Sequence, residues 1–347
     1  GSAPDSRTRR HTSRAERLSM RLSTLSCLLS TADSLSPRPR VVVSGGTHGN
    51  EYTGVWVLQR LQLRSAELAE QHPSIAIETL FANPPAHAAN RRFIDDDLNR
   101  QFSAATLADT TASSFEAGRA KAIAADMGPK GAAADAAVCI DMHTTTANMG
   151  CTVIVSSYST LALRAAAFVH THWDDADEAS PPLPLRVMVE ECSQCEAAHL
   201  ASVARHGIEI EVGPTPQSLL RADVVASTER CLRLLLRYLE LHYSGAEPAT
   251  PATLPVYVSL GKVPFVDGAD ADGALPGAVV AASLQDRDFA PLRAGEALFE
   301  ALDGSLVPYD GSLGEVVHPV FINEAAYYYR ESGRGVGMSR PVEWPVL

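Results

Sequence analysis

The sequence predicts an α/β domain on a mixed or parallel sheet, followed by a smaller, mostly β C-terminal domain. Three observations carry this. From residue 40 to about residue 243, short continuous apolar runs alternate with amphipathic helical patterns, as strands buried on both faces by helices require. A Pro/Ala/Thr/Gly stretch, SGAEPATPATLP (244–255), then breaks the pattern as a linker does. Residues 256–347 read as short strands separated by DG and PG turns, with little helix.

The elements follow in order. RVVVSG, with Pro39 as lead-in, is the first strand, and TGVWVLQRLQLRSAELAEQ the first helix. IAIETLFA (75–82), AAVCIDM (136–142), CTVIVSS (151–157), LRVMVE (185–190) and IEIEVGP (208–214) are further strands. FEAGRAKAIAADM, TLALRAAAFVHTH and DVVASTERCLRLLLRYLELH are helices, each with an apolar stripe at helical spacing. Beyond the linker the strands are VYVSLGKVPFV, GAVVAASL, EALFEAL, SLVPY and EVVHPVFI. Residues 1–39 are rich in Arg and Ser and read as a disordered basic tail, with an organellar transit segment as the alternative.

Composition narrows the class. The 347 residues fit roughly two domains. The formal net charge of −12 makes a nucleic-acid partner a poor expectation, because phosphate binding needs clustered Lys and Arg. No run approaches the eighteen apolar residues of a membrane-spanning helix. The six cysteines are scattered and read as free thiols in a reducing compartment, so a cytoplasmic location is expected. CSQC (192–195) is a lone C-x-x-C without a second pair.

The chemistry gathers at strand ends. GGTHGNEYTG (45–54) follows the first strand and places His48 and Glu51 among four glycines. Glycines permit sharp turns and close backbone approach, and His nitrogen and carboxylate oxygen are standard zinc ligands. The plainer reading is a loop histidine beside a glutamate that favours a helix N-terminus. AAVCIDMHTTTANMG ends a second strand in His143. Two histidines and a carboxylate leave one position exchangeable, the pattern of a catalytic zinc, and Asp141 is placed to orient a ligand. In GIEIEVGP, Glu211 is a candidate general base, although Glu209 has the same parity along the strand. In NRRFIDDDLNRQF (90–102), Arg92, Asn99 and Arg100 are placed to grip a carboxylate, and Asp97 to hold an arginine.

Taken together and in order, GGTHGNE, NPPA, FIDDDLNRQF, DMHTTTANMG, EVGPTPQ, LLRAD, LQDRDFAPL and VFINEAAYY resemble the aspartoacylase branch of the zinc carboxypeptidase-like amidohydrolases. This is the succinylglutamate desuccinylase/aspartoacylase superfamily, and the resemblance spans about residues 40–330. It implies a zinc-carboxypeptidase-like mixed-sheet α/β domain, with residues 256–347 capping the site. It also implies one Zn2+ per chain, held by His48, Glu51 and His143. Glu211 is then the general base and acid, and Arg92 polarises the scissile carbonyl. Asn99, Arg100 and Tyr327 contact the substrate, with Asp97, Asp141 and Glu324 in support. The implied reaction is hydrolysis of an N-acyl-L-amino acid.

One departure bears on the substrate. Aspartate-specific members carry a Tyr and an Arg ahead of the EVGP strand, and ungapped alignment puts Ala197 and Ala201 there. The pattern is closer to the aminoacylase-3-like branch, which acts on N-acetyl aromatic amino acids and acetylated cysteine conjugates. Arg205, one helical turn on, is the candidate replacement if the substrate is N-acetyl-L-aspartate. A peptide-trimming zinc carboxypeptidase would use the same ligands, and a non-catalytic zinc-binding or assembly protein is the alternative from another class. Oligomeric state stays open, a homo-oligomer included.

Overall fold

The structure is a computed structural model that describes residue 1 and residues 37–175, 182–266, 275–329 and 334–346. Most of the basic tail, with Cys27, lies outside the described residues. The chain divides into Gly1–Arg38 and Pro39–Leu347, and all that follows concerns the second unit. Among the described residues no helix is long and apolar enough to cross a membrane.

The first six strands are β1 (Arg40–Gly45), β2 (Ala76–Phe81), β3 (Ala136–Thr144), β4 (Gly150–Ser156), β5 (Leu185–Glu190) and β6 (His206–Gly213). Seven more follow: β7 (Thr253–Val263), β8 (Ala278–Val280), β9 (Leu292–Arg293), β10 (Ala297–Ala301), β11 (Leu306–Pro308), β12 (Val316–Val320) and β13 (Val336–Pro345). A 10-stranded sheet runs β2-β1-β3-β6-β4-β5-β7-β13-β12-β9. It is mixed: β1 pairs parallel with both β2 and β3, β3 with β6, and β4 with β5, while β4 and β6 are antiparallel.

Strand alternation divides the core into layers. Val41 and Val43 of β1, Ile140 of β3 and Ile208 and Ile210 of β6 face one side. There they pack against Val57 and Leu58 of the helix Tyr52–Leu63, Phe168 of Thr160–His172 and Leu235 and Leu239 of Ala222–Tyr243. Val42 and Cys139 face the other side, with Ile123 and Met127 of the helix Phe115–Met127 and Leu200 and Val203 of the 3-10 turn Leu200–Val203. Each such side chain contributes about 1.5–3 kcal/mol when fully buried. On this second face Asp141 and His143 follow Cys139 along β3, clear of the helix. The connection from β1 to β2 carries its helix on the first face and that from β2 to β3 carries its helix on the second, and in open α/β sheets ligands bind outside the carboxyl ends of strands at such a switch.

The structure differs from the sequence expectation in three places. The first helix breaks at Arg64, and the continuation Ser65–Gln71 has no buried residue, because the apolar stripe ends with Leu61. The linker ends early: β7 begins at Thr253 and forms a long antiparallel ladder with β13. That ladder joins the C-terminal residues to the main sheet through β5 and, among the described residues, leaves only β8, β10 and β11 as a separate three-stranded sheet. β13 was illegible because Pro341 and Pro345 interrupt its pattern.

The glycines after β1 have a steric reason. A Cβ on Gly45 would lie 2.7 Å from the Gly54 carbonyl carbon, where strand and helix cross. A Cβ on Gly49 would lie 2.1 Å from the Ala86 carbonyl carbon. Gly49 also donates its N–H to Arg92 O at 3.0 Å, and its carbonyl meets His87 Nδ1 at 2.9 Å. The loop bearing His48 is thus pressed against the segment that bears Arg92. Gly49→Ala is expected to lower stability by about 1–3 kcal/mol through overpacking. Gly118→Ala, in an exposed helical position with nothing within 4 Å of the added Cβ, is expected to raise it by up to about 1 kcal/mol. Urea unfolding of both variants reads the contrast.

Candidate active site

His48 leaves β1 on the glycine loop, and Glu51 is the residue before the helix Tyr52–Leu63. Glu51 makes no capping hydrogen bond to that helix. Its side chain turns inward instead, with Oε1 2.5 Å from His48 Nδ1 and Oε2 3.1 Å from His143 Nδ1. Thr144 N donates to Oε2 at 3.0 Å and Arg92 Nη1 to Oε1 at 3.3 Å. The plainer reading of Glu51 as a helix-end charge therefore gives way to a convergent site.

The two imidazoles meet through their Nδ1 atoms, 3.2 Å apart. Their other nitrogens are taken: His48 Nε2 faces Asp97 Oδ1 at 3.2 Å, and His143 Nε2 faces Asp141 Oδ2 at 2.9 Å. Asp141 is itself held by Thr47 Oγ1, 2.9 Å from both carboxylate oxygens. A carboxylate on Nε2 keeps the proton there and turns the Nδ1 lone pair toward the opposite side. Two imidazole nitrogens and a carboxylate then share one point, an arrangement that needs positive charge between them, from a proton or a metal ion. His48, Glu51 and His143 each offer a ligand atom, all within 4.8 Å of one another and all buried. This donor set fits zinc, with room for one further ligand.

Arg92 is clamped. Its Nε and Nη2 each donate to Asp97 Oδ2 at 3.1 Å, and Asp97 Oδ1 accepts from Asn99 N at 2.9 Å. Burial alone would raise the Asp97 pKa, but His48 and Arg92 hold it well below the usual range. Glu116, absent from the sequence reading, fixes the same loop by accepting from Ile94 N, Asp95 N and Asp96 N at 2.7, 3.0 and 3.1 Å. Its signal was an acid in the first turn of a helix, which ordinarily marks only a favourable dipole.

Glu211 lies beside His143 in the β3–β6 register. Burial pushes its carboxyl well above the usual range; Glu51, Glu324 and Glu209 add to that against the pull of His143. Glu209 has the same parity but the opposite fate. His199 Nδ1 meets it at 2.9 Å, and His199 and His143 outweigh burial and hold its pKa at about 2. Environment therefore separates two carboxylates that periodicity left equivalent.

These groups open on a cavity of about 430 Å³ whose lining includes His48, Glu51, Arg92, Asn99, Arg100, His143, Glu211, Glu324 and Tyr327. Asp97 and Asp141 stand behind it, each bonded to a histidine of the site. Asn99 Oδ1 accepts from Leu200 N at 2.8 Å, and Arg100 Nη1 donates to Asn99 O at 2.8 Å. Glu324 accepts from Thr145 Oγ1, from Thr146 N at 3.0 Å and from Ala326 N at 2.8 Å, which ties the Tyr327 segment to the end of β3. Lys262 of β7 reaches the same cavity, its Nζ 3.5 Å from the Tyr327 ring centroid. Burial, helped by Arg100 and Arg92, lowers its pKa to about 8. Lys262 carried no sequence signal, being one lysine on a short alternating strand.

The specificity positions separate. Ala197 lines the cavity, whereas Ala201 is fully buried in the core behind it. Arg205 is exposed at the opposite end of β6, roughly 20 Å of strand from Glu211. It does not line the cavity, so the structure corrects its candidacy as a replacement cation. Among the described cysteines, Cys139, Cys151 and Cys231 are free and buried; Cys192 and Cys195 are free, half-buried and exposed respectively.

Known proteins resemble this chain in sequence and in fold. The model of the succinylglutamate desuccinylase/aspartoacylase catalytic domain matches residues 37–239, and that of the AstE/AspA barrel-sandwich hybrid domain matches residues 269–333. A relative from Rattus norvegicus, N-acyl-aromatic-L-amino acid amidohydrolase (carboxylate-forming), is 38% identical over 305 residues, 87% of this chain and 91% of its own. Aspartoacylase from Xenopus tropicalis is 34% identical over 297 residues, 85% of this chain and 90% of its own. The crystal structure of murine aminoacylase 3 superposes with a TM-score of 0.79 at 35% identity, covering 90% of this chain and 98% of that one. The mixed sheet followed by a mostly β hybrid domain is that protein's architecture, and the chain belongs to the succinylglutamate desuccinylase/aspartoacylase family.

Proposed function

We propose that the protein is a zinc-dependent amidohydrolase that cleaves N-acyl-L-amino acids to a carboxylate and a free amino acid, with an aminoacylase-3-like preference for N-acetyl aromatic substrates. The observation that carries this is the meeting of His48 Nδ1, His143 Nδ1 and Glu51 beside a buried Glu211 in one cavity. Residues 40–243 are read as the catalytic domain and residues 256–347 as its cap, which brings Lys262, Glu324 and Tyr327 to the cavity.

His48, Glu51 and His143 would hold the metal, and zinc there supplies a water of lowered pKa and a positive charge for a carbonyl oxygen. Glu211 takes a proton from the attacking water as the new C–O bond forms. It returns that proton to the amine nitrogen as the C–N bond breaks. A carboxyl raised by burial is suited to both transfers, since it holds the proton between them. Arg92, fixed by Asp97, presents a permanent positive charge to the developing oxyanion without reorganising. Asn99 and Arg100 bind the α-carboxylate and so set the amide against the reacting groups. Asp97 and Asp141 keep the two imidazoles in one tautomer and orientation.

The aromatic preference rests on the relatives' names, on Ala197 at the cavity wall and on an apolar lining that includes Ile154, Met188, Val320 and Phe321. The second reading, an N-acetyl-L-aspartate hydrolase, is favoured by Lys262, a further basic side chain on the cavity lining.

Glu211→Gln is expected to bind zinc as the wild type does while losing turnover by 10²–10⁴-fold or more, roughly the contribution of general acid–base catalysis. Zinc analysis and initial rates read both parts, and retained turnover removes Glu211 as the base. Arg100→Ala is expected to raise KM about tenfold or more with a smaller change in kcat, as loss of a charged hydrogen bond to substrate requires; an unchanged KM contradicts its role. kcat/KM is expected to favour N-acetyltyrosine over N-acetylaspartate. The reverse order moves the assignment to the aspartate reading, and Lys262→Met then abolishes the preference.

A further inference from the structure

The cavity extends beyond the reacting groups, and the strand register states what lies along it. β4 sets Ile154 beside Glu209 of β6, and β5 sets Met188 beside Ile154 and Glu190 beside Ser156. The residues between them, including Val153, Val155, Val187 and Val189, belong to the core on the opposite face. The floor therefore runs from Glu211 over two apolar side chains to a carboxyl group at its far end, and all four line the cavity. Two strand spacings and four residues of rise put the Glu190 backbone about 16 Å from that of Glu211.

Glu190 is the unexplained group on this floor. Among the described residues its carboxyl takes no hydrogen bond and forms no ion pair. Burial pushes it above the usual carboxylate range, against the pull of His199. His199 is held by Glu209 on the adjoining wall, and its Nε2 is buried without a partner among the described residues. Glu190 is half-buried and lines the cavity, so its carboxyl stands as an open acceptor at the end of an apolar trough, where the donor group of a ligand would meet it.

We propose that this arm receives the amino-acid side chain of the substrate, its apolar body lying over Ile154 and Met188, and that Glu190 accepts a hydrogen bond from the phenolic hydroxyl of a tyrosine-type side chain. The inference rests on the N-acyl amino acid reading above and names the side chain that this reading leaves broad. It also gives a reason against acidic side chains, since a carboxylate at the same point faces Glu190 and Glu209 together.

The test measures kcat/KM for N-acetyltyrosine and N-acetylphenylalanine on the full-length, zinc-loaded wild type, Glu190→Leu and Glu190→Gln. The wild type is expected to prefer tyrosine by roughly 10- to 100-fold, the discrimination one hydrogen bond to a charged group provides. Glu190→Leu brings the ratio within about threefold of one by lowering the tyrosine value alone, while Glu190→Gln, which keeps a carbonyl acceptor, retains most of the preference. A wild-type ratio near one, or a ratio that Glu190→Leu leaves unchanged, overturns the proposal. If Glu190→Leu does not fold, the wild-type ratio and Glu190→Gln decide it. If the wild type cleaves neither substrate but cleaves N-acetylaspartate, Glu190's role falls and the N-acyl amino acid reading stands; if it cleaves none of the three, that reading itself fails.

Discussion

Two imidazole nitrogens 3.2 Å apart, each aimed at the other by a carboxylate on the far side of its ring, define the centre of this protein. Much of the surrounding structure keeps that contact in place. The glycines after β1 let the His48 loop lie against the Arg92 segment. Thr47 holds Asp141, Asp141 holds His143, and Arg92 holds Asp97, which holds His48. Donor groups arranged in this way repel one another unless positive charge sits among them. Linkage would make a cation bound among them a stabiliser of the fold as well as a part of the site.

The sheet turns this centre into a pocket. Strand alternation places Asp141, His143, Glu209 and Glu211 on one face while their neighbours fill the helix-covered core on the other. Because β7 and β13 continue the sheet, the C-terminal residues are a structural extension of the cavity floor. Glu324 pins the segment before the 3-10 turn Ala325–Tyr328 to Thr145 and Thr146, just past His143. One side of the cavity is thus built from residues more than 200 positions away in sequence from the loop that carries His48 and Glu51.

Much of this was legible in the chain. His48, Glu51 and His143 stand at strand ends, where the backbone leaves the sheet and side chains converge, and local pattern alone exposes such positions. The alternating hydrophobic runs revealed β1 to β6 for the same reason. What stayed hidden depends on contacts distant in sequence. Nothing local separates Glu209 from Glu211; His199 does so through space. Ungapped alignment placed Ala197 and Ala201 together, yet a 3-10 turn sends one to the cavity and the other into the core. Lys262, Glu116 and Glu190 look like ordinary charged residues of strands and helices until the fold encloses them.

The most direct test of the account is anomalous scattering at the zinc edge from crystals grown with zinc. One peak is predicted, at bonding distance (about 2.0–2.2 Å) from His48 Nδ1, His143 Nδ1 and a Glu51 oxygen. A peak among Asp141, His143 and Glu209, the other buried trio able to hold an ion among the described residues, would contradict it. So would the absence of any peak between the two imidazoles, since the geometry of the whole site is then arranged around something other than a cation.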